Sequence, residues 1–220
     1  MHVAAGEFVA LLGKNGAGKS TLMRALSGDL APTSGEVHME DRPLSQWSTR
    51  ERARMRAVLP QQGTLAFGFT GLEVASMGRY PHCGGTPGAR DLEIAREALA
   101  AVSADHLAHR RVTTLSGSEK ARVQLARVLA QLWPEGGAAN RYLLLDEPTA
   151  SLDPAHQHLP LSLAKQMAAE RKFGVLAVLH DLNLASQYAD RIVLLKDGRV
   201  LENGPPEDVL TTAALAQCLA

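Results

Sequence analysis

The sequence GKNGAGKS at residues 13–20 decides the fold of this chain. It lies between the apolar run Phe8–Leu12 and a segment with helical character at residues 21–26. A strand, a glycine-rich loop and a helix in this order form a cradle for phosphate, because backbone N–H groups and the positive end of the helix dipole converge on an anion. The stretch therefore predicts a site for a nucleoside triphosphate. The alternative is a glycine-rich turn that only caps a helix.

Each residue type in this loop suits the predicted chemistry. Glycines let the backbone turn its N–H groups inward, where a side chain would block the phosphate oxygens. Lys19 adds a charge toward the β and γ phosphates, and the Ser20 hydroxyl is placed to bind Mg²⁺. The predicted nucleotide-binding residues of this segment are Gly13, Lys14, Asn15, Gly16, Ala17, Gly18, Lys19, Ser20 and Thr21.

The composition is that of an ordinary globular protein. The 220 residues are 45% hydrophobic, which is enough to bury a sizeable core. Lys plus Arg and Asp plus Glu number 23 each, so no overall field attracts nucleic acid or an anionic membrane. Cys83 and Cys218 lack a metal-type spacing and suit a reducing cytosol. No apolar run reaches the roughly 18 residues of a membrane span, which predicts a protein that is soluble or held at a membrane by a partner.

Apolar patterns predict an α/β core that a helical block interrupts. From residue 70 to residue 132 the periodicity is helical with no clear strand, apart from a Pro/Gly-rich break at residues 80–88. The pair Asp197-Gly198 predicts a two-residue hairpin turn. The predicted strands are Phe8–Leu12, 36–39, Arg56–Leu59, 141–147, 174–179, Arg191–Lys196 and 199–201.

Four polar residues stand at or just past the carboxyl ends of predicted strands, where ligands of open α/β sheets bind. They are Gln61, Asp146, Glu147 and His180. Asp146 fits coordination of Mg²⁺, and Glu147 fits a base that takes a proton from water attacking the γ-phosphate. Taken locally, the same residues also fit a polar loop, an acidic turn and a structural histidine.

A helix N-terminus is predicted at Ser116. Ser116 and Glu119 have the spacing of a capping box, which leaves an exposed hydroxyl and free N–H groups at the start of a helix. Taken alone, this feature is a capped helix.

In combination the motifs resemble those of the ATP-binding cassette (ABC) ATPases, and the resemblance extends through the chain. Six motifs occur in the order of that family: residues 13–20, Gln61, Leu115-Ser116-Gly117-Ser118-Glu119, Leu145-Asp146-Glu147, Ser151-Leu152-Asp153 and His180. The resemblance implies ATP and Mg²⁺ as ligands. It implies Glu147 as catalytic base, His180 as switch histidine and Gln61 as the Q-loop glutamine.

The resemblance also implies residues that act on a nucleotide held by an opposing subunit. These are Ser116, Gly117, Ser118 and Glu119 of the signature motif and Asp153 of the D-loop. The implied metal-binding residues are Ser20, Gln61 and Asp146. The family usually has glycine where this chain has Ser118, and the added side chain is expected to crowd the γ-phosphate.

The implied fold is an α/β P-loop NTPase with a RecA-like core sheet, an inserted α-helical subdomain and an incomplete N-terminal antiparallel β part. We predict a single domain over residues 1–220, with a nucleotide-binding core at 1–66 and 133–220 and a helical subdomain at 67–132. Only twelve residues precede Gly13. The family's upstream β segment, whose aromatic residue stacks on adenine, has no counterpart there, so weaker ATP binding and poor discrimination from GTP are expected.

Five further stretches resemble the ATPase subunits of bacterial haemin importers, at residues 57–61, 78–82, 123–131, 154–158 and 179–185. This implies a homodimer, two permease subunits, a periplasmic or lipoprotein substrate-binding protein and no nucleic acid. The resemblance also implies a peripheral protein at the cytoplasmic side of the bacterial inner membrane. Alternative interpretations are an importer for ferric siderophores or vitamin B12, a soluble ABC ATPase and a truncated, impaired copy. His82, His156 and His158 fit surface or helix positions better than haem ligation.

Overall fold

The computed structural model describes residues 1–61, 68–133, 140–150, 152 and 156–219. Its main sheet has six strands in the order β4-β5-β6-β1-β7-β8. The first five are parallel to one another and β8 runs antiparallel to β7. The strands of this sheet are β1 Phe8–Leu12, β4 Arg56–Leu59, β5 Arg141–Asp146, β6 Phe173–Val178, β7 Arg191–Lys196 and β8 Arg199–Gly204. A separate antiparallel pair comprises β2 His38–Met39 and β3 Arg42–Pro43.

Helices cover the sheet and form an additional layer beside it. They are α1 Lys19–Ser27, α2 Thr49–Met55, α3 Gly71–Met77, α4 Tyr80–Cys83, α5 Ala89–Ala101, α6 Gly117–Gln131, α7 His158–Arg171, α8 Leu182–Tyr188, α9 Pro206–Val209 and α10 Thr212–Leu219. Helices α3, α5 and α6 pack on one another, and α6 also contacts β4. Within the described ranges, every helix is too short or too polar to cross a lipid bilayer.

The central strand β1 is apolar throughout because both of its faces are covered. All five of its residues are buried. Phe8, Ala10 and Leu12 belong to a large core that continues into the helical layer. Val9 and Leu11 face the other way, into a smaller core that includes Met23 of α1. The period of two along β1 therefore divides its side chains between two cores.

Close backbone approaches hold the helical layer together. A Cβ added to Gly78 would lie 2.1 Å from the carbonyl oxygen of Arg127 in α6, and one added to Gly71 would lie 2.5 Å from that of Leu107. The guanidinium of Arg79 is 1% exposed and donates to Asp91 Oδ1 at 3.0 Å and to the carbonyl oxygen of Ala130 at 2.9 Å. The layer is therefore tied by backbone contact and by a buried ion pair.

Most predicted elements are confirmed, and the differences occur where tertiary contacts decide. The strand predicted at 36–39 is shortened to β2. The turn between β2 and β3 contains Glu40 and Asp41, which have φ 52° and 57°. Glu40 accepts from Tyr142 Oη at 2.5 Å, which fixes this turn against β5. The Pro/Gly-rich break contains α4, and β8 extends three residues beyond its predicted end to Gly204. Both predicted boundaries of the helical subdomain lie at or beside residues outside the described ranges, so that division stays a prediction.

We expect Gly78→Ala to lower the free energy of unfolding by about 1–3 kcal/mol, because the new Cβ meets the Arg127 carbonyl oxygen in a packed layer. The helix propensity of alanine alone would act in the opposite direction, by about 0.5–1 kcal/mol. Urea unfolding measures the change. Gly68→Ala is the control, since Gly68 is exposed and has no described atom within 4 Å of its Cβ position. Equal stability of the two variants would contradict the close packing of α3 on α6.

Candidate functional site

The loop between β1 and α1 leaves the start of α1 open to an anion. Helix α1 begins at Lys19 after Gly18, which has φ 101° and makes no side-chain cap. The first turn of α1 also contains no acidic residue. Lys14, Asn15 and Ser20 are exposed around this end. An uncapped helix N-terminus with exposed flanking residues suits a phosphate group.

The three glycines of the loop are required for different reasons. A Cβ at Gly13 would lie 2.3 Å from the carbonyl oxygen of Leu195 in β7, so this position is filled by the neighbouring strand. Gly16 has φ 83° and no described atom within 4 Å of its Cβ position. Gly18 has φ 101°, which favours glycine, and its Cβ position lies at an ordinary contact distance of 3.5 Å from the Cα of Gly198 in the β7–β8 turn. The expectation that all three leave room for phosphate is therefore incomplete, because Gly13 also leaves room for the carbonyl oxygen of Leu195.

Lys19 lies beneath the loop and is only 6% exposed. Its Nζ donates to the carbonyl oxygens of Gly13 at 2.7 Å and Lys14 at 2.9 Å. Burial lowers the pKa of Lys19, while the nearby carboxylates of Glu147 and Asp146 act to raise it. The ammonium group is therefore held in place by two carbonyl oxygens that a phosphate can replace as its partners.

Glu147 follows one strand and contacts residues that follow the two strands on either side of it. It follows β5 directly and has φ 50°, a left-handed conformation that a non-glycine residue seldom adopts. Its Oε2 accepts from Nε2 of Gln61 at 2.5 Å, and its Oε1 lies 2.7 Å from Nε2 of His180. Gln61 follows β4 and His180 follows β6, so residues far apart in sequence meet at one carboxylate.

Asp146 lies at the end of β5 beside the same group. Burial raises its pKa, and the adjacent Glu147 carboxylate raises it further, while Lys19 and His180 act to lower it. Together with the Ser20 hydroxyl and the Gln61 amide oxygen, Asp146 offers the hard oxygen donors that Mg²⁺ prefers. The residues present therefore fit a magnesium ion bound together with phosphate.

The N-terminus of α6 is capped within its own chain. Ser116 Oγ accepts from the backbone N–H of Glu119 at 3.3 Å, and Glu119 Oε2 accepts from the backbone N–H of Ser116 at 2.7 Å. Ser118 Oγ lies 3.2 Å from Ser116 Oγ, and Arg110 Nη1 donates to Glu119 Oε1 at 2.9 Å. Gly117 is the first residue of the helix.

A cleft separates this helix start from the carboxylate group. It has a volume of about 270 Å³, and its walls include Gln61, Gly117, Ser118 and Glu147. The structure therefore brings the predicted catalytic residues together and places the signature motif across a cleft from them. Ser151 and Asp153 of the predicted D-loop lie outside the described residues. His82 contacts the carbonyl oxygen of Gln131 and His158 contacts Tyr188 Oη, each at 2.8 Å, which suits structural histidines.

The sequence gives no sign that Leu195 and Gly198 contact the phosphate loop. The backbone N–H of Gly198 donates to the carbonyl oxygen of Ala17 at 2.9 Å, and the carbonyl oxygen of Leu195 lies against Gly13. The only local signal was the hairpin pair Asp197-Gly198, which gives no indication that the hairpin lies against the phosphate loop.

With this geometry established, comparison with known proteins identifies the family. A family model described as ABC transporter matches residues 1–150. The chain belongs to the ABC transporter family. It is therefore an ATPase, as the phosphate loop and the Glu147 group suggest. It is 58% identical to the hemin import ATP-binding protein HmuV of Gloeobacter violaceus, over 94% of this chain and 74% of that protein. It is 54% identical to the HmuV protein of Myxococcus xanthus, over 96% of this chain and 79% of that protein.

Solved ABC cassettes share the fold of this ATPase. The dimeric cassette MJ0796 in a post-hydrolysis state with ADP and Pi matches with a TM-score of 0.80 and 29% identity, over 94% of this chain and 88% of that one. The protein cbiO1 of Clostridium perfringens, part of the transporter complex cbiONQ, matches with a TM-score of 0.79 and 28% identity, over 99% of this chain and 84% of that one. The predicted α/β P-loop NTPase fold is thereby confirmed.

We expect Gly13→Ala and Gly16→Ala to differ in their effect on the nucleotide-free protein. Gly13→Ala forces a Cβ against the Leu195 carbonyl oxygen and should cost about 3 kcal/mol of stability, whereas Gly16→Ala should cost about 1 kcal/mol from its positive φ alone. Both variants should lose ATP affinity. Thermal unfolding and ATP titration measure the two effects. Equal stability of the variants would contradict the packing of β7 on the loop.

Proposed function

We propose that this chain is the ATP-hydrolysing subunit of a bacterial haemin importer. The observation that carries the enzymatic part is the meeting of Gln61, Glu147 and His180 beside the phosphate loop. The cargo is inferred from the identity of 49–58% to proteins named for hemin import. ATP is the substrate of the reaction, and Mg²⁺ is bound together with it.

In the proposed reaction, Lys19 binds the β and γ phosphates at the start of α1, together with the backbone N–H groups of the loop. Glu147 accepts a proton from a water molecule whose oxygen attacks the γ-phosphorus, and the bond to the β–γ bridging oxygen breaks to leave ADP. His180 contacts the γ-phosphate and orients Glu147. Each Glu147 oxygen has one partner in this structure and keeps a second lone pair, through which it would accept a hydrogen bond from the attacking water.

Mg²⁺ would be held by Ser20, Asp146 and the amide oxygen of Gln61. When bound, it neutralises charge on the phosphate oxygens. Asp146 supports this role because its burial makes its negative charge costly until a cation is close.

A second copy of the chain would complete each site in a head-to-tail homodimer. The uncapped phosphate loop and the signature motif lie on different parts of one chain, and a cleft separates Ser118 from Glu147. The residues proposed to contact ATP across the dimer are Ser116, Gly117, Ser118, Glu119 and Asp153. The post-hydrolysis relative with ADP and Pi is likewise dimeric, which supports this arrangement.

Two permease subunits and a periplasmic or lipoprotein substrate-binding protein would complete the importer. We propose that a permease segment docks near Gln61, at the cleft between the sheet and α6, so that closure of the dimer moves the membrane subunits. The chain would then lie at the cytoplasmic side of the bacterial inner membrane as a peripheral protein. Ferric siderophores and vitamin B12 are the alternative cargoes, and no contact among the described residues bears on that choice.

Glu147→Gln tests the base. It keeps the size of the side chain and removes the proton acceptor, so ATP hydrolysis should fall by roughly 10²-fold or more while ATP still binds. Steady-state phosphate release and ATP titration measure the two properties. Glu202→Gln, at an exposed position in β8, is the control and should leave both unchanged. Hydrolysis within threefold of the unchanged protein would assign the base to another residue.

Growth of the source bacterium tests the cargo. Deletion of the gene should abolish growth on haemin as sole iron source, while growth on a ferric siderophore continues and vitamin B12 uptake is unchanged. Complementation with the intact gene should restore growth on haemin, and Lys19→Ala should not, because it removes the buried charge of the phosphate loop. If the deletion strain grows normally on haemin but loses uptake of the ferric siderophore or of vitamin B12, the lost compound and not haemin is the cargo.

A further inference from the structure

The start of α7 contains two polar residues that the proposed reaction does not use. Gln157 directly precedes this helix, and His158 is its first residue. Both belong to the stretch 154–158, which resembles haemin importer ATPases. Each side chain contacts a segment that follows or precedes a predicted catalytic residue: Gln157 contacts the turn after Glu147, and His158 contacts the helix after His180.

Gln157 closes the turn that follows β5. The backbone N–H of Ala150 donates to the carbonyl oxygen of Glu147 at 3.2 Å. The backbone N–H of Leu152 donates to the carbonyl oxygen of Thr149, also at 3.2 Å. Nε2 of Gln157 then donates to the carbonyl oxygen of Leu152 at 3.1 Å. Hydrogen bonds within one short segment therefore lead from Glu147 to the start of α7, and the last donor among them is a side chain.

The backbone of Glu147 needs support of this kind. Its φ is 50°, and a non-glycine residue stays in the left-handed region only where the surrounding contacts hold it there. Gln61 and His180 contact the carboxylate of Glu147 and so fix the end of its side chain. The turn that Gln157 closes acts on the backbone instead, and it fixes the direction in which the chain leaves β5.

His158 connects α7 to the helix that follows His180. Its Nδ1 lies 2.8 Å from Oη of Tyr188, the last residue of α8, which is buried. At its other end α8 is capped by Asp181, whose Oδ1 accepts from the backbone N–H of Asn183 at 2.7 Å. His180 therefore precedes a helix that is capped at its start and hydrogen-bonded to α7 at its end.

We propose that Gln157 and His158 are positioning residues that hold Glu147 and His180 in the geometry required for ATP hydrolysis. This inference rests on the catalytic roles proposed for Glu147 and His180. The side chains of these two residues lie 2.7 Å apart, and the contacts through α7 join the segments that carry them. A displacement of about 1 Å can slow a reaction by roughly 10²-fold. Loss of either contact should therefore slow hydrolysis, while the phosphate loop still binds ATP.

Gln157→Met tests the contact with Leu152 in the full chain. Methionine keeps the length of the side chain and has no N–H donor, so kcat for ATP hydrolysis should fall by roughly tenfold while the Kd for ATP stays within about twofold. Steady-state phosphate release and nucleotide titration measure the two quantities. Gln166→Met is the matched control, because Gln166 is an exposed glutamine of the same helix that donates to Glu170 at 3.0 Å. It should change neither quantity.

Four variants test the contact between α7 and α8. His158→Leu and Tyr188→Phe each remove one partner of the hydrogen bond, so each should lower kcat by roughly fivefold or more with the Kd for ATP unchanged. The double variant should be no slower than the slower single variant, because both substitutions break the same bond. His158→Asn places a polar atom near the position of Nδ1 and should recover most of the lost activity.

Thermal unfolding of every variant shows whether the assays compare folded proteins. The inference is overturned if either Gln157→Met or His158→Leu keeps kcat within twofold of the unchanged protein. It is also overturned if kcat and ATP affinity fall together, or if His158→Asn is as slow as His158→Leu, since a general loss of structure gives these results. Glu147→Gln is assayed alongside. Normal hydrolysis in that variant refutes the proposed base and this inference with it, whereas loss of hydrolysis there, with full activity of Gln157→Met, refutes only the positioning role.

Discussion

The contact between Gly13 and the carbonyl oxygen of Leu195 is the constraint on which the nucleotide site depends. Strand β1 pairs with β7 so that Leu11 faces Val193 and Leu12 faces Leu194, and Gly13, which follows β1, meets Leu195. The phosphate loop therefore takes its shape from the register of the sheet and from the hairpin that follows β7. A slip of one residue would turn every buried side chain of β1 to the opposite core and remove the contact.

The same sheet brings opposite charges together before any nucleotide is present. Lys19 lies beneath the loop with two carbonyl oxygens, while Glu147 is held by Gln61 and His180. Lys19 and Glu147 each have hydrogen-bonding partners within the chain, which limits the cost of burying their charges. Under the proposed function, the γ-phosphate would add negative charge beside Asp146 and Glu147 and would compete for the contacts of Lys19 and His180.

The parts of the fold that are fully buried could be predicted from the sequence. Strands β1 and β7 have the predicted bounds, since strands covered on both faces appear as continuous apolar runs. The half-buried edge strand β4 also has its predicted bounds. The capping box at Ser116 also forms as predicted, because its contacts are local. Elements whose shape depends on distant partners were missed or shortened. Strand β2 is set by the contact of Glu40 with Tyr142, about a hundred residues further along the chain.

The same reasoning separates predictable site residues from unpredictable ones. Motif spacing identified Gln61, Glu147 and His180. Only the parallel pairing of β4, β5 and β6 explains why Gln61 and His180 both contact the carboxylate of Glu147. The support of the loop by Leu195 depends on which strand lies beside β1. No pattern within β7 encodes that neighbour, so this part of the site required the structure.

Two buried arginines at the helical layer illustrate how charge is handled in this protein. Arg79 is paired with Asp91 and an α6 carbonyl oxygen, so its burial is compensated and it serves the packing of α3, α5 and α6. Arg56 has a buried Nε without a described partner and a pKa lowered to about 10. A purely structural role would favour the arrangement of Arg79, because an uncompensated buried charge destabilises the fold. Arg56 Nη1 donates to the carbonyl oxygen of Leu26, so the burial of Arg56 is compensated less completely than that of Arg79.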